Sequence, residues 1–202
     1  MDEVAAQAPP EGGRARTGGG RLRTLLVLAV TAALVVTAVY LIDRPKAQAA
    51  ISTVHLTGQG GNAPVIGRPA QDFTATTVTG QKISLSQYRG HPVWLTFGAT
   101  WCAACRAEIP DIEATYERAK AGGVVVIGVF ISEDVPAVRD YAQRAGLTFP
   151  MVADPNTAIA SAYRVLGIPV HFFIDRDGVL RSSNTGSLTP ARMDAALREI
   201  SR

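Results

Sequence analysis

Cys102 and Cys105, the only cysteines in the 202-residue chain, stand in the stretch GATWCAACRAEIP at residues 98–110. Two thiols three positions apart could staple the chain, bind a metal or exchange disulfides. A staple gains its effect by restricting the unfolded chain, and a two-residue loop restricts it little. A closed tetrahedral zinc site needs four ligands. The other soft donors are His55, His91 and His171, none of them beside a second cysteine pair. Arg106 rather than histidine follows Cys105, so the haem-attachment pattern C-x-x-C-H is absent. Dithiol–disulfide exchange uses this spacing directly: one thiol attacks, and the other resolves the mixed disulfide.

Such a pair needs a strand to carry it and a helix to activate it. Residues 92–99 (PVWLTFGA) form a continuous apolar run, as expected for a strand buried on both faces. A helix is predicted from about residue 102 to 121, ended by Gly122-Gly123. Cys102 then falls at the helix N-terminus, where unsatisfied N–H groups and the dipole favour a thiolate. Cys105 follows one turn along the same face. Pro110 predicts a bend within this helix.

The remaining elements alternate. DFTATTV and KISL flank Thr79-Gly80-Gln81 and read as a hairpin. VVVIGVFI (124–131) is a second buried strand. A helix with Asp134 as N-cap ends at Gly146, and a shorter one covers residues 156–163. VHFFID and VLRSSNT surround the turn signal Asp177-Gly178. A last helix starts at Thr189 with Pro190 in first position. The predicted order β-β-β-α-β-α-α-β-β-α gives one sheet covered by helices, an α/β layer fold.

Ahead of this domain, residues 24–42 (TLLVLAVTAALVVTAVYLI) carry no charge. In a helix, roughly 19 residues span about 28 Å, close to the hydrocarbon thickness of a bilayer. Arg14, Arg16, Arg21 and Arg23 precede the run, which places the N-terminus inside the cytoplasm and the domain outside it. Ala47-Gln48-Ala49 resembles a signal-peptide cleavage site, but the run is longer than a usual signal core, which favours a retained anchor. The organisation read from sequence is a Gly/Pro/Arg-rich tail (1–23), an anchor (24–42), a tether (43–63) and a globular domain (64–202). Part of the net charge of +3 comes from the arginines that crowd the tail, and no basic patch interleaved with aromatics points to nucleic acid.

FGATWCAACRAEIP, with GIPVHFFIDRDG about sixty residues later, resembles the thioredoxin superfamily. More narrowly, it is similar to the membrane-anchored TlpA/ResA/DsbE-type thiol-disulfide oxidoreductases of bacteria. The early hairpin and the long stretch 132–166 fit this group better than small cytosolic thioredoxins. The resemblance implies a thioredoxin-like fold with an N-terminal β-hairpin extension and a central insertion. It implies Cys102 as attacking thiol, Cys105 as resolving thiol and Pro169 as a cis-proline beside them. Ile168 would pair through its backbone with an extended substrate segment, and Trp101 would form part of the surface around Cys102. Glu108, three residues after Cys105, matches a glutamate of ResA-like members and could pass protons to or from a thiol. The disulfide itself would be the redox carrier, with no other cofactor and no metal.

The implied partners are oxidised extracytoplasmic proteins such as apocytochrome c, and a membrane electron donor of the CcdA/DsbD type. Three departures stand out. Cytosolic thioredoxins carry a buried aspartate where this chain has Thr96, Ala104 occupies a position often held by proline, and Ala103-Ala104 leaves the redox potential open. His171 is read as a satisfied strand histidine and His91 as a surface residue. Two other functions use similar chemistry. A peroxiredoxin-like thiol peroxidase has Thr three residues before its cysteine, where Ala99 precedes Cys102 here. A copper-binding chaperone would exploit soft thiolates, but the related family has C-x-x-x-C spacing.

Overall fold

The computed structural model describes residues 19–42, 55–56 and 63–202. Most of the tail and tether read from sequence therefore lies outside the described residues. The uncharged run falls within helix α1 (Gly19–Ile42), whose side chains are described for residues 23–39. Among the described residues no helix is long and apolar enough to cross a membrane. The chain divides into two units, residues 1–47 and 48–202; the second holds everything that follows.

That unit begins with β1 (His55–Leu56), inside the stretch read as tether, then β2 (Phe73–Thr76) and β3 (Lys82–Ser84), all antiparallel neighbours in a small sheet. A 3₁₀ turn (Leu85–Tyr88) leads to β4 (Val93–Gly98). Next come α2 (Ala103–Ala119), β5 (Val125–Ile131) and α3 (Val135–Ala145). They are followed by β6 (Met151–Asp154), α4 (Ala158–Ala162), β7 (Val170–Ile174), β8 (Leu180–Thr185) and α5 (Pro190–Ile200).

The main sheet has the order β6-β5-β4-β7-β8. β4, β5 and β6 are parallel, while β7 and β8 run antiparallel to β4 and to each other. Sequence reasoning omitted β6. Met151–Asp154 is four residues bracketed by Pro150 and Pro155, too short to show a periodicity. It is a strand because β5 supplies its hydrogen-bonding partner, a tertiary cause. α2 runs unbroken through Pro110.

Alternation along β4 sends Trp94 and Thr96 to one face and Val93, Leu95 and Phe97 to the other. The first face packs under α2, α3 and α5 through Ile109, Ile112, Val138, Met193 and Leu197. The second packs against the small sheet and α4 through Phe73, Ile83, Ile159 and Tyr163. Each such side chain, fully buried, contributes about 1.5–3 kcal/mol. Packing of one apolar stripe, more than helix propensity, therefore holds the helices in place.

The caps behave largely as read. Asp134 accepts a hydrogen bond from Ala137 N at 2.9 Å and Gly146 closes α3 at φ 65°, a left-handed conformation suited to glycine. Thr189 occupies the cap of α5, but its side chain makes no capping bond. One N-terminal segment also reaches both margins of the main sheet. Gly67 N and Ala70 N donate to Leu180 and Gly178 carbonyls, and Leu180 N donates back to Arg68. At the other margin Val78 N donates to the Met151 carbonyl, beside a bridge between Thr77 and Val152.

Candidate functional site: the disulfide at the start of α2

β4 ends at Gly98 and delivers Ala99-Thr100-Trp101 as a turn onto α2. Cys102 and Cys105 are joined in a disulfide with Cα atoms 5.2 Å apart. Cys102 is the N-cap of α2, and its Sγ accepts the Cys105 N–H at 3.1 Å. A sulfur thus takes the place usually filled by a Ser or Asp oxygen at a helix start. The same N–H and dipole would stabilise a thiolate on Cys102 after reduction. Both cysteines are nearly enclosed, at 9% and 7% exposure, against Ala99, Ile131 and Ile168.

One turn further on, Glu108 points inward and is only 4% exposed. It lines a small pocket under the disulfide with Phe97, Cys105, Ile109, Tyr141 and Pro169. Its Oε1 accepts the Leu188 N–H at 2.7 Å and lies 3.3 Å from Nε2 of the wholly buried His171. The His171 contact is close, but it is out of line for a full hydrogen bond. Glu108 Oε2 and His171 Nε2 are the buried side-chain polar atoms without a hydrogen-bond partner among the described residues. An unsatisfied buried polar group costs about 1–3 kcal/mol, more if charged, so two adjacent ones call for an explanation. Burial pushes the Tyr141 hydroxyl above its ordinary value, against a smaller opposing influence from Arg106, so the pocket wall carries no phenolate.

The outer side of the disulfide is built differently. Trp101 is 59% exposed, which removes it from the core. Ile168 is half-buried against the cysteines, and the Ile168–Pro169 peptide bond is cis. The turn itself is tied down by Glu133, which accepts hydrogen bonds from Thr100 N at 2.7 Å and from the Thr100 hydroxyl. Arg106 donates to the Thr100 carbonyl at 2.9 Å. The turn bearing Cys102 is therefore clamped from α2 and from the loop after β5.

Comparison with known proteins bears directly on this geometry. The model of the AhpC/TSA family matches residues 66–183. The thiol-disulfide oxidoreductase ResA of Geobacillus kaustophilus is 36% identical over 138 residues, 68% of this chain and 79% of that protein. The chain belongs to the AhpC/TSA family, among its ResA-type thiol-disulfide oxidoreductases. Solved structures agree on the fold. A thioredoxin-family thiol:disulfide interchange protein from Chlorobium tepidum superposes with a TM-score of 0.61 at 27% identity, over 69% of this chain and all of that one. A secreted disulfide oxidoreductase of Mycobacterium tuberculosis, described as homologous to E. coli DsbE, gives 0.57 at 25% identity, over 63% and 95%.

In this ResA-type oxidoreductase, Cys102, Cys105, Glu108, Ile168 and Pro169 converge at one place, with Trp101 on its rim. His91 is exposed and distant in the fold, its Nδ1 3.1 Å from the Gly123 carbonyl. Sequence reasoning missed Glu133 and the surroundings of His171. Thr96 and His171 are cross-strand partners between β4 and β7. Their side chains meet at 3.0 Å, with Trp94 Nε1 donating to the same imidazole nitrogen at 3.3 Å. The position where cytosolic thioredoxins carry aspartate is thus joined, through His171, to Glu108. The available signal was alternation: Trp94, Thr96, His171 and Phe173 share the sheet face beneath α2.

Proposed function

We propose that this oxidoreductase works outside the cytoplasm as a reductant of protein disulfides. Its substrates would be oxidised cysteines of secreted proteins, apocytochrome c among them. Reduced Cys102 attacks one sulfur of the substrate disulfide, forming a mixed disulfide and expelling a substrate thiolate. Cys105 loses its proton to Glu108 and attacks Cys102 Sγ, releasing the second substrate thiolate. The substrate thiolates take up protons, one of them that held by Glu108. Two substrate sulfurs are reduced, and Cys102 and Cys105 are oxidised to the disulfide seen here.

The observation that carries this reading is the placement of Cys102 Sγ as N-cap of α2 with a buried carboxylate one turn beneath Cys105. Pro169 and the backbone of Ile168 would seat an extended substrate segment beside Cys102, and exposed Trp101 would cover its apolar side chains. Residues 24–42 would anchor the protein, a reading supported by their lack of charge over a length that matches a bilayer's hydrocarbon core. Outside the cytoplasm the disulfide persists unless reduced, so a membrane electron donor of the CcdA/DsbD type would restore the dithiol.

The reduction potential of the Cys102/Cys105 couple tests the direction. Thiol trapping in graded redox buffers should give a value near that of thioredoxin, about −270 mV. A value near that of DsbA, about −120 mV, would make the protein a disulfide donor and end the reductive reading.

A further inference from the structure

We propose that His171 is a positioning residue for disulfide exchange: its Nε2 edge lies against Oε1 of Glu108, which leaves Oε2 as the oxygen that exchanges a proton with Cys105. The inference rests on the reading of Glu108 as the proton-transfer group.

The tautomer follows from the donors around the ring. An indole N–H can only donate, and Trp94 Nε1 lies 3.3 Å from His171 Nδ1. Nδ1 must therefore accept, and the ring hydrogen sits on Nε2. An imidazolium would set an Nδ1–H against the indole N–H. Thr96 Oγ1, 3.0 Å from Nδ1, serves the same nitrogen. Nε2 then lies 3.3 Å from Glu108 Oε1, close but out of line for a full hydrogen bond, on the oxygen that already accepts from Leu188 N. Both donors crowd one oxygen, and the other is buried without a partner in the pocket shared with Cys105.

This division of the carboxylate suits the second half of the reaction. Cys105 S–H gives its proton to Oε2, and the resulting thiolate attacks Cys102 Sγ. The electron pair of the broken mixed disulfide leaves with the substrate sulfur. No further oxidant or reductant enters. Besides Glu108 itself, the titratable groups lining the pocket are Cys105 from α2 and Tyr141 from α3, and His171 of β7 touches the carboxylate. Cys105 is the proton donor itself, and Tyr141 stays neutral. His171 is therefore the titratable side chain set against the carboxylate oxygen that does not exchange the proton.

The test is the pH profile of single-turnover reduction of a model protein disulfide, insulin, by the full chain. His171→Leu removes the donor and should move the acid limb of the profile upward by about one pH unit, a rate loss of about tenfold on that limb. His171→Gln restores an N–H and should recover most of the loss. A folded His171→Leu protein with the wild-type profile overturns the inference, provided that Glu108→Gln alters the profile. If Glu108→Gln leaves the profile unchanged, the reading of Glu108 fails and the role of His171 fails with it. Should His171→Leu not fold, 15N-histidine NMR of the unaltered chain decides. A neutral ring with hydrogen on Nε2 at pH 7 supports the proposal, and the opposite tautomer or an imidazolium overturns it.

Discussion

Two carboxylates flank strand β7, one near each end, and they are treated in opposite ways. Asp175, just past its C-terminal end, has both oxygens engaged. It accepts from Asp177 N at 3.0 Å, Val179 N at 2.9 Å and Arg181 Nε at 2.5 Å. Burial alone would push it up, but the Val179 N–H and the Arg181 guanidinium outweigh burial and hold it below the usual carboxylate range. Glu108, against the N-terminal half of the strand, has one aligned donor and one empty oxygen. A carboxylate with both oxygens engaged fixes a turn and resists protonation. One left half-engaged beside a disulfide retains room for a proton. The first belongs to stability; in the proposed reading the second belongs to chemistry.

Substitutions that separate stability from chemistry test this contrast. Cys102→Ser should abolish insulin reduction to background, a loss of at least about 10³-fold, because without Cys102 the Cys102–Cys105 disulfide that takes up the oxidation cannot form. Glu108→Gln should slow the resolving step by about 10²-fold, in the range of general acid–base contributions, while reduction of the first substrate bond changes little. Stopped-flow separation of the two steps would show this, and equal slowing of both would break the contrast.

Asp175→Ala should do the reverse. It should lower unfolding free energy by about 2 kcal/mol, the scale of a charge-assisted hydrogen bond, and leave exchange rates alone. The pH dependence has a definite sign. Because the folded-state value lies below the unfolded one, the ionised group stabilises above the ordinary carboxylate range, and that stability is lost as pH falls through the folded value. Urea midpoints at pH 7 and pH 3 should therefore differ more for the wild type than for Asp175→Ala. The smallest effect belongs to Trp101→Ala, with KM for insulin raised about threefold and the melting temperature unchanged, since the indole lies largely in solvent.

Much of this arrangement was legible from local pattern. The apolar run before Cys102, the glycines after the helix and the i, i+3 spacing of Cys105 and Glu108 are short-range signals, and they placed the site. What escaped was set by contacts distant in sequence. β6 is a strand because β5 lies alongside it. His171 is functional in this reading because antiparallel pairing sets it opposite Thr96, and because α2 lowers Glu108 onto it. Neither fact follows from spacing. Glu133 is similar, since the loop after β5 returns to Thr100 by folding alone.

The segment that touches both margins of the main sheet has a consequence for self-association. An open sheet ends in rows of unused N–H and C=O groups that can template another chain. Residues 67–70 occupy part of the row on β8, and residues 77–78 part of the row on β6. Strand addition is blocked there on both flanks by the protein's own chain. A version beginning at β4 would keep Cys102 and Cys105 yet present two unguarded flanks, and it should meet copies of itself before it meets a substrate.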